Sequence, residues 1–340
     1  MISLRTTTCC QIKECLTLSR SEVWPYALVL SARLLRIWPH EELASTTQLD
    51  PNLCELLRHV VRLRDALVDG PRSLFSLINS DGLHPGSTSH ESVIVDEDLG
   101  ELVIDELDRV CLVALETLGP ELFLTEGLLP LEPIVNELES GSVDLCRSWA
   151  LLLLARAVPK KPCRLHFFTE RMLPLADRAL NVAKNVVAAM AAKQDEKFGG
   201  AALITAGITV TRQIWAGLSM FVRQSPQDWS ELSTGGFGRR LVKELANTSA
   251  LRPTVLMAFR RLALAAQQSE TGLIAMRGGA KLAIPTMLSL YENAESPVHL
   301  SLRQQIRSTL AAYFPCLSSK VSVFFPQFFP QLTSFLLFGD

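Results

Sequence analysis

NLCELLRHVVRLRDALV, residues 52–68, places Leu53, Leu56, Leu57, Val60, Leu63 and Leu67 three and four positions apart, with Glu55, Arg58, Arg62 and Asp65 between them. That spacing puts the apolar side chains on one stripe of an α-helix and the charges on the other. A single stripe is covered best by another helix, so the stretch predicts a helix packed among helices. Outward from it, four prolines interrupt apolar runs that resume at helical spacing: Leu129-Pro130, Leu173-Pro174, Ile284-Pro285 and Phe325-Pro326. Proline is tolerated in the first turn of a helix, where its missing N–H has no intrahelical partner anyway. Each of these sites therefore reads as the start of a buried helix.

Further helices are expected at 23–37, beginning near Pro25, and at 101–118, stopped by Gly119-Pro120. Others are expected at 121–128, 132–138, 143–158, 165–192, 202–222, 239–245, 253–267, 281–291 and 302–314. Breaks fall at 195–200, at 224–238, and around Ser269 and Gly278-Gly279. Residues 79–99 turn to Ser, Gly, His, Pro and acidic residues, a composition that buries too little apolar area to offset the entropy of ordering. No segment alternates strictly between apolar and polar, so strands are not expected. Helix pairs at intervals of roughly 40 residues match HEAT or armadillo arrays rather than tetratricopeptide units. The expected fold is all-α, a right-handed α-solenoid of HEAT/armadillo-like helical hairpins. Divergent N-terminal helices occupy 1–78, a mobile acidic and Ser-Gly loop 79–100, and the solenoid 101–340.

A hydrophobic fraction of 48% and a charged fraction of 20% describe a folded chain. Residues 1–140 hold 10 Lys and Arg against 23 Asp and Glu, a net of -13, while residues 141–340 hold 23 against 12, a net of +11. Two readings stand: the basic portion tracks phosphates, or each portion has a solvated charged face. The eight cysteines are scattered through apolar stretches, with no C-x-x-C pair, and Cys9, Cys10 and Cys15 have no His or fourth thiol at zinc-site spacing. A reducing compartment fits this usage. Lys13 and Glu14 interrupt any signal-peptide pattern in the first twenty residues. The uncharged run Val321 to Gly339 contains Pro326, Gln327, Pro330 and Gln331, and reads as a solenoid helix pair in preference to a membrane span.

No G-x-x-x-x-G-K-[ST] loop, G-x-S-x-G elbow or H-E-x-x-H helix occurs. The nearest thing to a phosphate cradle is Gly235-Gly236-Phe237-Gly238-Arg239-Arg240, which lacks a preceding strand and reads as a turn between helices. His40, His59, His84, His90, His166 and His299 form no ligand spacing. Trp215 shares a helical face with Ile214, Leu218 and Phe221, as a core anchor does. Trp229 lies in a polar stretch and either packs back on the helices or faces a partner. No cofactor is expected.

Seven motifs fall in order along residues 110–315. Leu118-Gly119-Pro120-Glu121 leads to Leu129-Pro130-Leu131; Arg147-Ser148-Trp149 follows, and then the run from Leu165 to Ala176, LHFFTERMLPLA. Downstream come Arg212-Gln213-Ile214-Trp215, and Leu251-Arg252 with Val255, Ala258, Arg260 and Leu262. Ala280-Lys281 with Ile284-Pro285, Leu288, Leu290 and Tyr291 is next, and Arg303, Ile306 and Tyr313 continue in phase. This order resembles the ribosomal RNA-processing protein 12 family, nucleolar HEAT-type solenoid proteins of small-subunit ribosome assembly. Residues 1–105 show no match, and the family's proteins are longer, with more repeats and a basic tail. The resemblance implies a non-catalytic scaffold in the nucleolus or nucleus, whose partners are precursor ribosomal RNA or the pre-ribosomal particle and assembly-factor proteins. It also implies a link to export of these particles. Lys160-Lys161 alone is too short to serve as a nuclear targeting run.

If the chain binds RNA, the candidate contacts in the basic portion are Arg212, Arg239, Arg240, Lys243, Arg260, Arg261, Arg277 and Lys281. Arg and Lys that neutralise phosphates release counterions, which makes binding steeply salt-dependent and weakly sequence-selective. The alternative function is a HEAT-repeat transport adaptor, or a protein scaffold, without RNA contact. An enzyme is the least supported reading, because no acid, base and nucleophile converge in the sequence. Neither a membrane nor a small-molecule substrate is expected as a partner.

Overall fold

The computed structural model describes residues 2–17, 23–37, 50–68, 97–125, 128–145, 147–191, 200–223, 228–229, 236–294 and 300–317. Every regular element among them is helical. In chain order these are α1 (Ile2–Thr17), α2 (Trp24–Ile37), α3 (Pro51–Val68), α4 (Glu97–Leu118), α5 (Pro120–Thr125), α6 (Glu132–Glu139) and α7 (Ser148–Arg156). Then follow α8 (Leu165–Phe167), a π-helical turn (Phe168–Met172), α9 (Leu173–Ala191), α10 (Gly200–Phe221), α11 (Gly236–Asn247), α12 (Arg252–Ala266), α13 (Glu270–Glu292) and α14 (Leu300–Tyr313). The all-α expectation holds. The chain divides into two compact units, 1–160 and 161–340, with the division inside the stretch read from sequence as one solenoid.

Local chemistry explains most of the boundaries. Asp50 caps α3, its carboxylate accepting from the N–H of Asn52 at 2.8 Å and of Leu53 at 3.3 Å, and Pro51 fills the first helical position. Gly119, at φ +88, ends α4 in the left-handed region while its N–H donates to the Leu115 carbonyl, and Pro120 then opens α5. Ser269 caps α13 by accepting from the Gly272 N–H.

Three expectations are corrected. First, α13 runs unbroken through Gly278-Gly279 and through Pro285, which is neither a break nor a helix start but an interior residue. Buried Ala275, Met276, Ala280, Ala283 and Met287 form one continuous stripe whose packing offsets the roughly 1 kcal/mol per glycine and 3 kcal/mol per proline lost in a helix interior. Second, Pro174 stands inside a continuous helical run. It cannot donate to residue 170, and the wider π turn immediately before it absorbs the missing bond. Third, the helix expected at 143–158 begins only at Ser148, and α4 starts at Glu97, within the expected loop. The rest of that loop, together with Phe325-Pro326 and the 321–339 run, lies outside the described residues.

In unit 1, α1 and α3 run parallel: the Cys10 thiol donates to the Asn52 side chain at 3.6 Å, and one turn on Lys13 pairs with Glu55. Arg64 joins α3 to α4 by donating to Asp108 at 2.6 Å and lies over the Trp149 ring, 5.0 Å from its centroid. Asp65 accepts from Arg147 Nε at 2.9 Å and from Trp149 Nε1 at 3.2 Å. Burial pushes the Asp65 carboxyl up, against the lowering by Arg147 and Trp149.

In unit 2, contacts fix the direction of each helix. Gly200 meets Val186 and Met190, Gly207 meets Ala179 and Ala183, and the Thr211 hydroxyl donates to the Gly207 and Ala176 carbonyls, so α9 and α10 are antiparallel. Arg277 reaches Cys316 while Tyr291 meets Arg303 and Arg307, which makes α13 and α14 antiparallel as well. By contrast α12 and α14 are parallel: Thr309 donates to the Leu256 carbonyl, Phe259 meets Tyr313 edge-on at 6.1 Å, and the Cys316 thiol donates to the Ala263 carbonyl. Antiparallel pairs with parallel successive members make up stacked helical hairpins. One layer holds α10, α12 and α14; the other holds α11 and α13, with α9 tied to α11 through Asp177 and Arg240. Buried Trp215 meets Phe168 at 5.9 Å, as expected of a core anchor. Trp229 is also buried, its indole N–H donating to the Met276 sulfur at 3.1 Å, and so it packs on the helices.

A Cβ at position 207 would stand 2.8 Å from the Ala179 carbonyl oxygen, whereas one at Gly236 meets nothing within 4 Å. Gly207→Val is expected to destabilise unit 2 by about 2 kcal/mol or more through overpacking. Gly236→Ala should stay within about 0.5 kcal/mol of the parent. Urea unfolding of the full chain followed by circular dichroism measures both.

Candidate nucleic-acid interface

All eight basic candidates lie in unit 2, where 20 Lys and Arg face 11 Asp and Glu, a net of +9; unit 1 holds 13 against 24, a net of -11. The asymmetry read from sequence therefore follows the division of the structure. Within unit 2, helical phase and local partners sort the candidates.

Three of them brace the fold. Arg240 donates to Asp177 on α9 and to Glu244 on its own helix, each at 2.6 Å. Burial alone would lower its pKa, but the two carboxylates outweigh that and raise it. Arg261 donates to the Ser219 carbonyl at 2.8 Å, joining α12 to α10, and burial together with Arg223 pulls its pKa down. Arg277 donates through Nε to the Cys316 carbonyl at 2.9 Å.

Arg212, Arg239, Lys243, Arg260 and Lys281 are exposed and form no ion pair with another described residue. They do not converge on one groove. Arg239 and Lys243 stand one turn apart on α11, as Arg277 and Lys281 do on α13, and both helices pack on each other and on α12. Each pair lies on a stripe of its own helix that is exposed, and on α13 that stripe also carries Arg277, which reaches the end of α14. Acidic residues are scarce there: Glu244 is buried, and α13 has none between Glu270 and Glu292. Arg212 and Arg260 occupy the exposed stripes of α10 and α12 in the other layer.

Two further arginines were missed. Arg303 and Arg307 on α14 stack on the Tyr291 ring, at 4.4 Å and 5.3 Å from its centroid. Two arginines four apart in a helix without an acidic residue are the available signal; from sequence Arg303 enters only as one residue of the last motif, with Ile306 and Tyr313. Gly236 and Gly238 belong to α11, with Gly238 buried, so part of the glycine-rich stretch is helix instead of turn. Burial holds the Cys9 thiol up at about 11, reinforced by Asp50 and Cys10, and raises Cys111 and Cys316 as well. Such thiols stay protonated at neutral pH and are poor nucleophiles. No helix among the described residues is long and apolar enough to cross a membrane.

The family model for ribosomal RNA-processing protein 12, HEAT repeats, matches residues 97–320, about two thirds of the chain. The chain belongs to this family. The match contains the 110–315 stretch on which the resemblance was read and extends it to the start of α4. The human RRP12-like protein is 29% identical over 185 residues, covering 54% of this chain. That match takes in 13% of the human protein's length, so the chain corresponds to a small part of it.

Arg240→Ala removes charge-assisted bonds to two carboxylates, one of them buried, and is expected to cost about 1 to 3 kcal/mol of stability. Arg239→Gln and Lys243→Gln should each change stability by less than about 0.5 kcal/mol. Thermal denaturation of the three variants separates bracing residues from free ones.

Proposed function

We propose that this chain is a non-catalytic HEAT-repeat scaffold of ribosome biogenesis, acting in the nucleolus or nucleus. It binds precursor ribosomal RNA of the small-subunit particle together with assembly-factor proteins, in support of processing, assembly or export. Membership of the ribosomal RNA-processing protein 12 family supports the process. The observation that carries RNA contact is the exposed stripes of α11 and α13, on which Arg239, Lys243 and Lys281 stand without carboxylate partners among the described residues, in a unit of net charge +9.

Helix stripes of this kind meet phosphates along their length without reading base edges. Affinity then comes from counterion release, which gives shape and charge selectivity and little sequence preference. Arg240, Arg261 and Arg277 contribute field from fixed positions while their hydrogen bonds hold neighbouring helices in place. Arg212 and Arg260 in the other layer are secondary contacts.

Reversing three free charges, R239E/K243E/K281E, is expected to weaken binding to a single-stranded RNA at low salt by at least tenfold. It should also reduce the steepness of the salt dependence by about 2 in the log–log slope, from roughly 0.7 per phosphate contact. Affinity and slope equal to those of the parent would discard the RNA contact and leave the protein-only adaptor. Fluorescence anisotropy across a salt series makes the measurement.

A further inference from the structure

We infer that the seam between α13 and α14 carries a phosphate-binding site built on Arg303. Its guanidinium lies over the Tyr291 ring, with Cζ 4.4 Å from the centroid. Stacking on a ring engages the flat side of a guanidinium and leaves its edge, where all five N–H donors point, free for other partners. Here the edge is unused. Arg303 Nε is buried without a hydrogen-bond partner, and Arg303 forms no ion pair with another described residue.

A desolvated donor without a partner is costly, and a phosphate, which accepts two parallel bonds from a guanidinium, is the group that best removes the cost. The neighbouring charges point the same way. One turn on, Arg307 lies 5.3 Å from the same ring centroid and donates to the Tyr291 hydroxyl from Nε at 2.8 Å, so a second positive charge is fixed beside the first. Like charges four residues apart oppose helix formation. The α14 sequence, LSLRQQIRSTLAAY, has no acidic residue of its own. An anion beside Arg303 lowers the repulsion.

The ligand is a phosphodiester of the RNA backbone, an assignment that rests on the RNA reading above.

The test uses the full chain as parent, R303Q and R303K, the last retaining charge and stem should R303Q fail to fold. Pyrophosphate is titrated in thermal melts, and a single-stranded RNA oligonucleotide is titrated by anisotropy across a salt series. Expected are a pyrophosphate-dependent rise of the parent midpoint that R303Q lacks and R303K shows in part, RNA affinity lowered several-fold in R303Q, and a salt slope shallower by about 0.7. If R303Q or R303K melts at a lower temperature yet keeps the parent's pyrophosphate response and salt slope, Arg303 only packs on Tyr291 and the site is overturned. If the pyrophosphate response depends on Arg303 while the parent binds no RNA, the phosphate site stands and the RNA reading falls.

Discussion

Unit 2 depends on how closely α9 and α10 approach. Gly207 carries a hydrogen where a methyl would sit 2.8 Å from the Ala179 carbonyl, and Ala183 fills the next turn. One turn further, the Thr211 hydroxyl donates to the Ala176 carbonyl across the pair. Small residues bring the two backbones together, and the large ones are displaced to the ends of the contact. There Phe168, Trp215 and Phe221 gather in one aromatic cluster. Rings of this size supply much of the apolar area of a helical core, and their edge-on geometry adds to it. The antiparallel direction that results is repeated in α13 and α14.

The helices themselves were largely legible in the sequence, because a buried stripe leaves a period of three and four wherever it occurs. Residues 53–67 and the capped start of α3 at Asp50 illustrate this. What escaped was the balance between local preference and packing. Gly278, Gly279 and Pro285 each argue locally against a helix, and yet α13 passes through all three because Met276, Ala280, Ala283 and Met287 are buried on one side. Pro174 was read as a helix start and is an interior residue, with the π turn as compensation. Local propensity is a weak prior that a well-covered stripe overrides.

The basic residues were legible only as a set. Composition places an excess of Lys and Arg in residues 161–340, but it cannot tell Arg239 from Arg240, neighbours in sequence on different sides of α11. One side faces solvent; the other meets Asp177 across the gap to α9. Partition between two helix layers is likewise invisible until the pairing is known, since it depends on α11 and α13 resting together on α12. Arg303 was passed over for the converse reason. The spacing of Arg303 and Arg307 and the lack of an acidic residue in α14 mark the pair as basic, but the ring that decides their place lies in the preceding helix.

The clasp made by Asp65 with Arg147 and Trp149 closes an excursion of more than eighty residues, and Arg64 with Asp108 closes a shorter one inside it. Loop closure costs entropy that grows only with the logarithm of the number of residues enclosed, about 0.6 kcal/mol for each doubling. Because both clasps are made by side chains on or beside the helices themselves, the pairing of α3 with its partners sets little thermodynamic constraint on how many residues separate them in sequence. Changes in that number can accumulate while the paired side chains stay in register.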